Sequence, residues 1–218
     1  IYADLFGTEA GLVRLGFVNG THALSCALFG ALEPGDVMLS VTSAPYDTLL
    51  NTVTGDCPGS MKRYGIGYRQ VDLKDGRLDL EAIEKAAAAD DVKMVFLQRS
   101  RGYAVRQTLS CAEIGEACAV VRRVNPNAVI MVDNCYGEFV ETKEPTDVGA
   151  DLCVGSLIKN PGGGLAPIGG YIVGKKEYVE NAAFRLTAPG LGKEVGASLG
   201  VNRSFFQGLF LAPQVVNG

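Results

Sequence analysis

The sequence predicts an α/β fold, namely a doubly wound, mostly parallel sheet with helices on both faces. Apolar runs of strand length alternate with helical patterns along nearly the whole chain of 218 residues, and this alternation is typical of parallel sheets. Gly and Pro mark the loops, but no linker or low-complexity stretch divides the chain. We therefore predict a single domain over residues 1–218.

The predicted elements follow one another with short connections. Strands are expected at 36–41, 67–73, 92–100, 128–134, 152–158 and 169–175. Helices are expected at 21–32, 46–53, 79–90, 112–126, 176–186 and 196–212. A strand-like stretch before the first helix is expected to end at Asn19-Gly20. Asp79 is a suitable N-cap for the helix that follows it, because acidic residues favour the first turn.

Composition and charge exclude several classes of function. Hydrophobic residues make up 47% and charged residues 20%, with a net charge of −4, which disfavours nucleic-acid binding. Six cysteines without a CxxC pair and a single histidine disfavour a zinc site. We expect buried, reduced thiols in a cytoplasmic protein, with no signal peptide and no membrane span. The first residue is not Met, and we expect a fragment of a longer protein.

A carboxylate and an amine follow two of the predicted buried strands. Asp133 lies in VDNCYGEF and Lys159 in GSLIKNPGGG. Open α/β sheets bind ligands at the carboxyl ends of their strands, and a lysine in an apolar slot has its charged form disfavoured. Pyridoxal 5′-phosphate (PLP) needs this pair, since its aldehyde takes a lysine and its ring nitrogen an acid. The alternatives are a surface lysine and a turn-capping aspartate.

A phosphate site is expected at the start of the first predicted helix, in VNGTHALSCAL. The amides of Gly20, Thr21 and His22, with the helix dipole, would bind the phosphate group, and Ser156 would add its hydroxyl. The glycines after Lys159 would let a planar ligand approach the backbone. The alternative is an ordinary helix with Thr21 as its N-cap.

Two tyrosines are candidates for contact with a cofactor ring. Tyr46 lies at a strand-to-helix junction and can stack on a ring. Tyr136 follows Asp133 by three residues and can direct its hydroxyl to the ring's phenolic oxygen. For both, packing in the core is the alternative, and His22 is an alternative candidate for lying over the ring.

Sequence motifs for other kinds of active or binding site are incomplete in this chain. GIGYRQ (65–70) lacks the third glycine of a dinucleotide fingerprint, and PGLGKE (189–194) lacks a Ser or Thr after Lys193. A Ser-His-Asp triad is not credible with His22 in a phosphate-type loop. Nucleotide binding through Gly20 and residues 162–164 is left as a disfavoured alternative.

Together these segments resemble PLP enzymes of the aspartate-aminotransferase fold, also called fold type I. More closely, the chain resembles the methionine gamma-lyase-related family, whose members are often labelled aluminium-resistance or cystathionine lyase-like proteins. The segments that carry the resemblance are FVNGTHALSCALFG, SVTSAPYDTL, LQRSRGY, VDNCYGEFVETKEPTDVGADL, GSLIKNPGGGLAPIGGYI and RLTAPGLGKEVG. The resemblance implies a Schiff base on Lys159, a ring-nitrogen contact from Asp133, a stacking aromatic at Tyr46, and phosphate ligands at Ser156, Gly20, Thr21 and His22.

The chain departs from the better-known gamma-lyases at three places. Those enzymes have a threonine directly before the lysine, where this chain has Ile158. Their arginine for the substrate carboxylate would lie beyond Gly218, and the Tyr and Arg that they lend to a neighbouring subunit would lie before Ile1. The resemblance therefore implies a large PLP-binding domain without the small C-terminal domain.

The leading hypothesis is a PLP-dependent carbon–sulfur lyase that acts on a sulfur amino acid such as methionine or cystathionine. The same parts could serve an aminotransferase, an aldolase or a decarboxylase-like enzyme, or a non-catalytic PLP-binding protein.

We expect a homodimer or homotetramer with active sites at the interface. Unpaired guanidiniums at Arg99, Arg101 and Arg185 would be costly beside apolar segments, and Arg101 is the candidate for the substrate's carboxylate. The alternative is that these arginines cover the edge of the sheet.

Overall fold

The computed structural model describes residues 1–194 and 196–218 as one sheet with helices on both of its faces. Val195, in the segment RLTAPGLGKEVG, lies outside the described residues. The strands are β1 Ala10–Arg14, β2 Val37–Ser40, β3 Gly67–Gln70, β4 Val92–Gln98, β5 Val129–Asp133, β6 Leu152–Ser156 and β7 Gly170–Gly174. The helices are α1 Tyr2–Leu5, α2 Gly20–Ala31, α3 Asp47–Thr54, α4 Leu80–Ala87, α5 Cys111–Val124, α6 Lys176–Ala183 and α7 Asn202–Asn217. Short 3₁₀ turns occupy Met61–Tyr64, Pro145–Val148 and Asn160–Gly162.

The mostly parallel sheet is confirmed. Its strand order is β1-β7-β6-β5-β4-β2-β3. Neighbouring strands from β3 to β6 run parallel, whereas β7 is antiparallel to both β6 and β1. The strand expected to end at Asn19-Gly20 instead ends at Arg14. The pairing stops there because Arg14 lies opposite Gly170, the first residue of β7, and Gly169 turns away with φ +110.

The apolar residues of the sheet pack on two sides, as the doubly wound prediction requires. In β5, Met131 belongs to the cluster that packs beneath α2 and α6, whereas Ile130 packs against α4 and α5. All five residues of this strand are buried. Because helices cover both faces of β5, its side chains are buried on either side of the sheet, and its sequence is an apolar run up to Asp133.

Local capping agrees in part with the sequence. Asp79 caps α4 by accepting from the Ala82 amide at 3.0 Å, as predicted. α5 begins one residue earlier than expected, because Ser110 and Glu113 form a capping box at its start. Six free thiols are present in the described residues, and all but Cys57 are buried, in agreement with the prediction.

Within the described part of the chain, no helix has both the length and the apolar character needed to cross a membrane.

Candidate functional site

A cavity of about 800 Å³ opens at the carboxyl edge of the sheet. Gln98, Asp133 and Ser156, the last residues of β4, β5 and β6, reach it side by side. It is lined by most of the residues singled out from the sequence, namely Gly20, Thr21, His22, Tyr46, Asp133, Tyr136, Ser156 and Lys159. Residues more than 130 positions apart in the chain therefore meet in one space.

Asp133 is a buried carboxyl group at the wall of this cavity. Its side chain is 2% exposed, and one carboxylate oxygen accepts from the Cys135 amide at 3.1 Å. Burial raises the pKa of Asp133, although the hydrogen bonds from Cys135 and the charge of Lys159 oppose that rise. A cationic group bound in the cavity would favour the ionised form of this carboxyl group.

Lys159 lies in the turn after β6, because that strand ends at Ser156 and not at Ile158 as expected. Its amino nitrogen is 3.8 Å from the centroid of the Tyr136 ring. Burial alone would lower the pKa of Lys159, but hydrogen bonding to the Tyr136 side chain and the charges of Cys135, Tyr136 and Asp133 outweigh it, and the pKa is raised. The expectation that the charged form of the free side chain is disfavoured is therefore wrong.

The N-terminus of α2 is capped by Asn19, not by Thr21. The Asn19 side chain accepts from the His22 amide at 2.8 Å, so the His22 amide, expected to bind phosphate, is already engaged. Thr21 instead exchanges a hydrogen bond with the Tyr46 hydroxyl at 2.9 Å. Both Asn19 and Thr21 are good capping residues, and the backbone of Asn19 is the extended one.

Ser156 brings an unused hydroxyl to the same place. Its Oγ is buried and has no hydrogen-bond partner among the described residues. Gly20 lies against it, since a Cβ built on Gly20 would be 3.2 Å from the Cβ of Ser156. A buried hydroxyl without a partner costs free energy unless a bound group satisfies it.

His22 is a neutral donor at the cavity wall. Its Nδ1 accepts from the Val18 amide at 3.2 Å, and burial lowers its pKa. The ring proton is therefore on Nε2. The imidazole lies edge-on to Phe17, with ring centroids 5.7 Å apart.

Tyr46 is fixed by Gln98, which sequence reasoning missed. The Tyr46 amide donates to Gln98 Oε1 at 2.9 Å, and burial raises the pKa of the Tyr46 hydroxyl. Cys135 also lines the cavity without having been singled out. The rule that strand ends meet at one edge would have found Gln98, since it closes an apolar run just as Asp133 does.

The three arginines have different surroundings. Arg101 is exposed and lines a neighbouring cavity of about 510 Å³ that shares Tyr46 and Tyr103 with the first. Arg99 is 1% exposed, and it needs no ligand or second subunit, because it is paired within its own chain. Its partners are the Glu141 and Glu144 carboxylates, the Asn134 side chain and the backbone oxygens of Gly137 and Leu109. Arg185 lies over the Phe29 ring at 5.4 Å.

Two of the three glycines after Lys159, Gly162 and Gly163, pack against the protein itself, whereas a Cβ on Gly164 would meet nothing within 4 Å. A Cβ on Gly162 would lie 2.7 Å from Ala166 Cβ, and one on Gly163 would lie 2.3 Å from the Gly208 oxygen in α7. Neither Gly162 nor Gly163 lines the cavity. The expectation that these two admit a ligand to the backbone is wrong, because α7 occupies that approach.

Comparisons with known proteins agree with one another. The family model for methionine gamma-lyase matches residues 1–218. A protein of Bacillus subtilis (strain 168), uncharacterized protein YnbB, is 53% identical over 221 residues, covering all of this chain and 52% of that protein. L-methionine gamma-lyase of Pseudomonas putida is 29% identical, over 90% of this chain and 44% of that one.

The architecture also agrees with that of solved structures. The crystal structure of a carbon-sulfur lyase involved in aluminum resistance from Clostridium novyi NT superposes with a TM-score of 0.93 at 52% identity. The match covers 99% of this chain and 52% of that chain. The chain thus spans about half the length of the relatives it matches.

Proposed function

This chain belongs to the methionine gamma-lyase family, and from that premise we propose that it is the large, PLP-carrying domain of a carbon–sulfur lyase with the aspartate-aminotransferase fold. Its substrate is a sulfur amino acid such as methionine or cystathionine. One observation carries the proposal: a lysine amine, a buried carboxyl group, an unpartnered hydroxyl and a helix N-terminus line one cavity. The lyase names of the relatives support the same reaction class.

The residues present fit PLP. A phosphate would accept from the buried Ser156 hydroxyl and from the first turn of α2, where the helix dipole favours an anion. A protonated ring nitrogen would be the cation that the buried Asp133 carboxyl group favours. Tyr46 offers an aromatic face at the mouth of the same cavity. Lys159 is the one lysine among the residues that line it.

When bound, PLP supplies a covalent attachment for an amino group and a ring that withdraws electrons. Lys159 Nζ would be the group that holds the cofactor, and as a free amine it would take the proton from the substrate's α-carbon and return it elsewhere on the substrate. Asp133 would hold the proton on the ring nitrogen. Ser156, Gly20, Thr21 and the Nε2–H of His22 would hold the phosphate, and Tyr136 lies beside Nζ. The reaction would consume one water and give thiol, α-keto acid and ammonia.

The substrate's carboxylate is assigned to Arg101. This side chain is exposed and lines the neighbouring cavity, and a guanidinium binds a carboxylate through two parallel hydrogen bonds. Arg101 acts within its own subunit or across an interface.

The active protein is a homodimer or homotetramer in this proposal. Large apolar side chains are exposed around the cavity, including Tyr103 at 92% and Val105 at 102%, with Tyr136 and Ile158 more than half exposed. A second copy would cover them. We place the protein in the cytoplasm, because its thiols are unpaired and mostly buried.

A substrate panel tests the reaction class. Full-length, PLP-loaded protein is incubated with methionine, homocysteine, cysteine, cystathionine and non-sulfur amino acids, and free thiol and α-keto acid are measured. The proposal expects both products together and only from the sulfur amino acids. Keto acid without thiol, formed only when an amino acceptor is added, would indicate an aminotransferase and contradict it.

A further inference from the structure

The aromatic ring of Tyr136 lies directly against the amino group of Lys159. The distance from Nζ to the ring centroid is 3.8 Å, well within the range in which an ammonium group is attracted to the face of a ring. The Tyr136 side chain is 58% exposed, so core packing does not hold the ring in this place. Within one copy of the chain, the backbone fixes the direction in which the Tyr136 side chain leaves the turn.

That backbone is in a strained conformation. Tyr136 has φ +68 and Phe139, three residues later, has φ +63, a region that residues with a Cβ seldom adopt. Non-glycine residues in such conformations persist only where surrounding contacts determine them, and they are concentrated at functional sites.

The buried Arg99 supplies those contacts from the interior of the protein. It donates to the Gly137 oxygen at 2.9 Å and to the Asn134 side chain at 2.7 Å. Glu144 completes the network by accepting from Asn134 at 2.9 Å and from the Phe139 amide at 2.8 Å. The turn is therefore fastened on both sides of Tyr136, although Tyr136 itself is at the surface.

We propose that Tyr136 is a positioning residue whose ring face binds the amino group of Lys159 whenever that group is free. The face of an aromatic ring attracts an ammonium group, so the contact keeps Nζ in the cavity instead of letting a flexible side chain move into solvent. The inference deepens the proposed function, since it rests on Lys159 being the lysine that carries the cofactor. It assigns to the Tyr136 ring a role separate from any contact of its hydroxyl with the cofactor.

Competitive labelling of lysines measures this directly. Full-length protein is freed of cofactor and labelled with trace acetic anhydride over a range of pH, and the Lys159 peptide is quantified by mass spectrometry against that of the exposed Lys193. Tyr136→Leu removes the ring, so the pKa of Lys159 falls and its labelling below that pKa becomes about two- to fivefold faster. Tyr136→Phe keeps the ring and labels close to the wild-type rate. Tyr103→Leu, an exposed tyrosine of the same cavity, leaves the rate unchanged.

Two outcomes would overturn the inference. One is a wild-type rate for Lys159 in Tyr136→Leu, and the other is equally fast labelling in Tyr136→Phe and Tyr136→Leu, which would leave the ring without a role. The proposed function is tested separately, by finding which lysine holds PLP after borohydride reduction of the loaded proteins. A label on another lysine would reject that function. The acetylation rates would still show whether Tyr136 binds Lys159, because they are measured on protein without cofactor.

Discussion

Gly20, the first residue of α2, faces Ser156, the last residue of β6, so closely that a side chain on Gly20 would be crowded. A Cβ on Gly20 would lie 3.2 Å from the Cβ of Ser156. The positive end of the helix dipole and a buried hydroxyl are thereby directed to one point, although 136 residues separate them in sequence. An anion bound there is held by both.

Ser156→Ala should therefore weaken the binding of PLP. The lost hydrogen bond to a charged group corresponds to about 1.5–3 kcal/mol, or roughly ten- to a hundredfold in Kd. Spectroscopic titration of the full-length protein measures it. Pyridoxal, which lacks the phosphate, is the control, and its Kd should not change. An equal loss for both ligands would mean that Ser156 does not contact the phosphate.

Asp133→Asn should leave a folded protein with little turnover. An amide cannot hold the proton on the ring nitrogen as a carboxylate does, and a preorganised charge of this kind contributes on the order of 3 kcal/mol, or roughly a hundredfold in kcat. Asp47→Asn is the matched control, because Asp47 lines the same cavity but is exposed. Comparable rates for Asp133→Asn and the control would refute the assignment.

Glu138 should make stability depend on pH. It is fully buried, and burial raises its pKa to about 8, even though Tyr171 donates to it at 2.8 Å. The unfolded carboxyl group releases its proton near pH 4.5. Between these values the folded protein binds more protons, so the free energy of unfolding falls as pH rises, by on the order of a few kcal/mol in all.

Glu138→Gln replaces the ionisable carboxyl group with an amide and keeps the size and shape of the side chain. Urea unfolding of wild type and variant at mildly acidic pH and again above pH 8 should show a steeper decline for the wild type across this window. Parallel declines would show that Glu138 titrates outside it.

Asp151→Asn should destabilise the sheet without touching the cavity. The buried Asp151 carboxylate binds Arg122 and Lys175 and accepts from the Ile130 amide at 2.7 Å. Removing its charge leaves two cations unpaired and should lower the free energy of unfolding by about 1–3 kcal/mol. Asp91→Asn breaks the exposed pair with Arg69 and should have a far smaller effect. Equal losses in the two variants would contradict the role of Asp151.

The sequence predicted the site best where chemistry coincided with a strand end. The apolar run that leads to Asp133 is a local signal, and parallel strands bring their carboxyl ends to one edge. The end of β1 was predicted too far along the chain, because its pairing with β7 is antiparallel and joins residues that are far apart in sequence. The partners of Arg99 could not be predicted from a local pattern either, since Glu141 lies 42 residues away in the sequence.

Competition between similar residues explains the other differences. Asn19 and Thr21 both cap helices well, and only the backbone conformation at Asn19 decides between them. Gly162 lies next to a candidate lysine, which suggested room for a ligand. The approach of α7 to that glycine is a tertiary contact that no local pattern records.

Borohydride reduction followed by peptide mapping tests the central claim most directly. The full-length protein is loaded with PLP, reduced, digested and mapped, with Lys159→Ala treated in parallel. We expect the reduced cofactor to be attached to Lys159 and the folded Lys159→Ala protein to carry none. Attachment to Lys193, which is exposed and does not line the cavity, would contradict it.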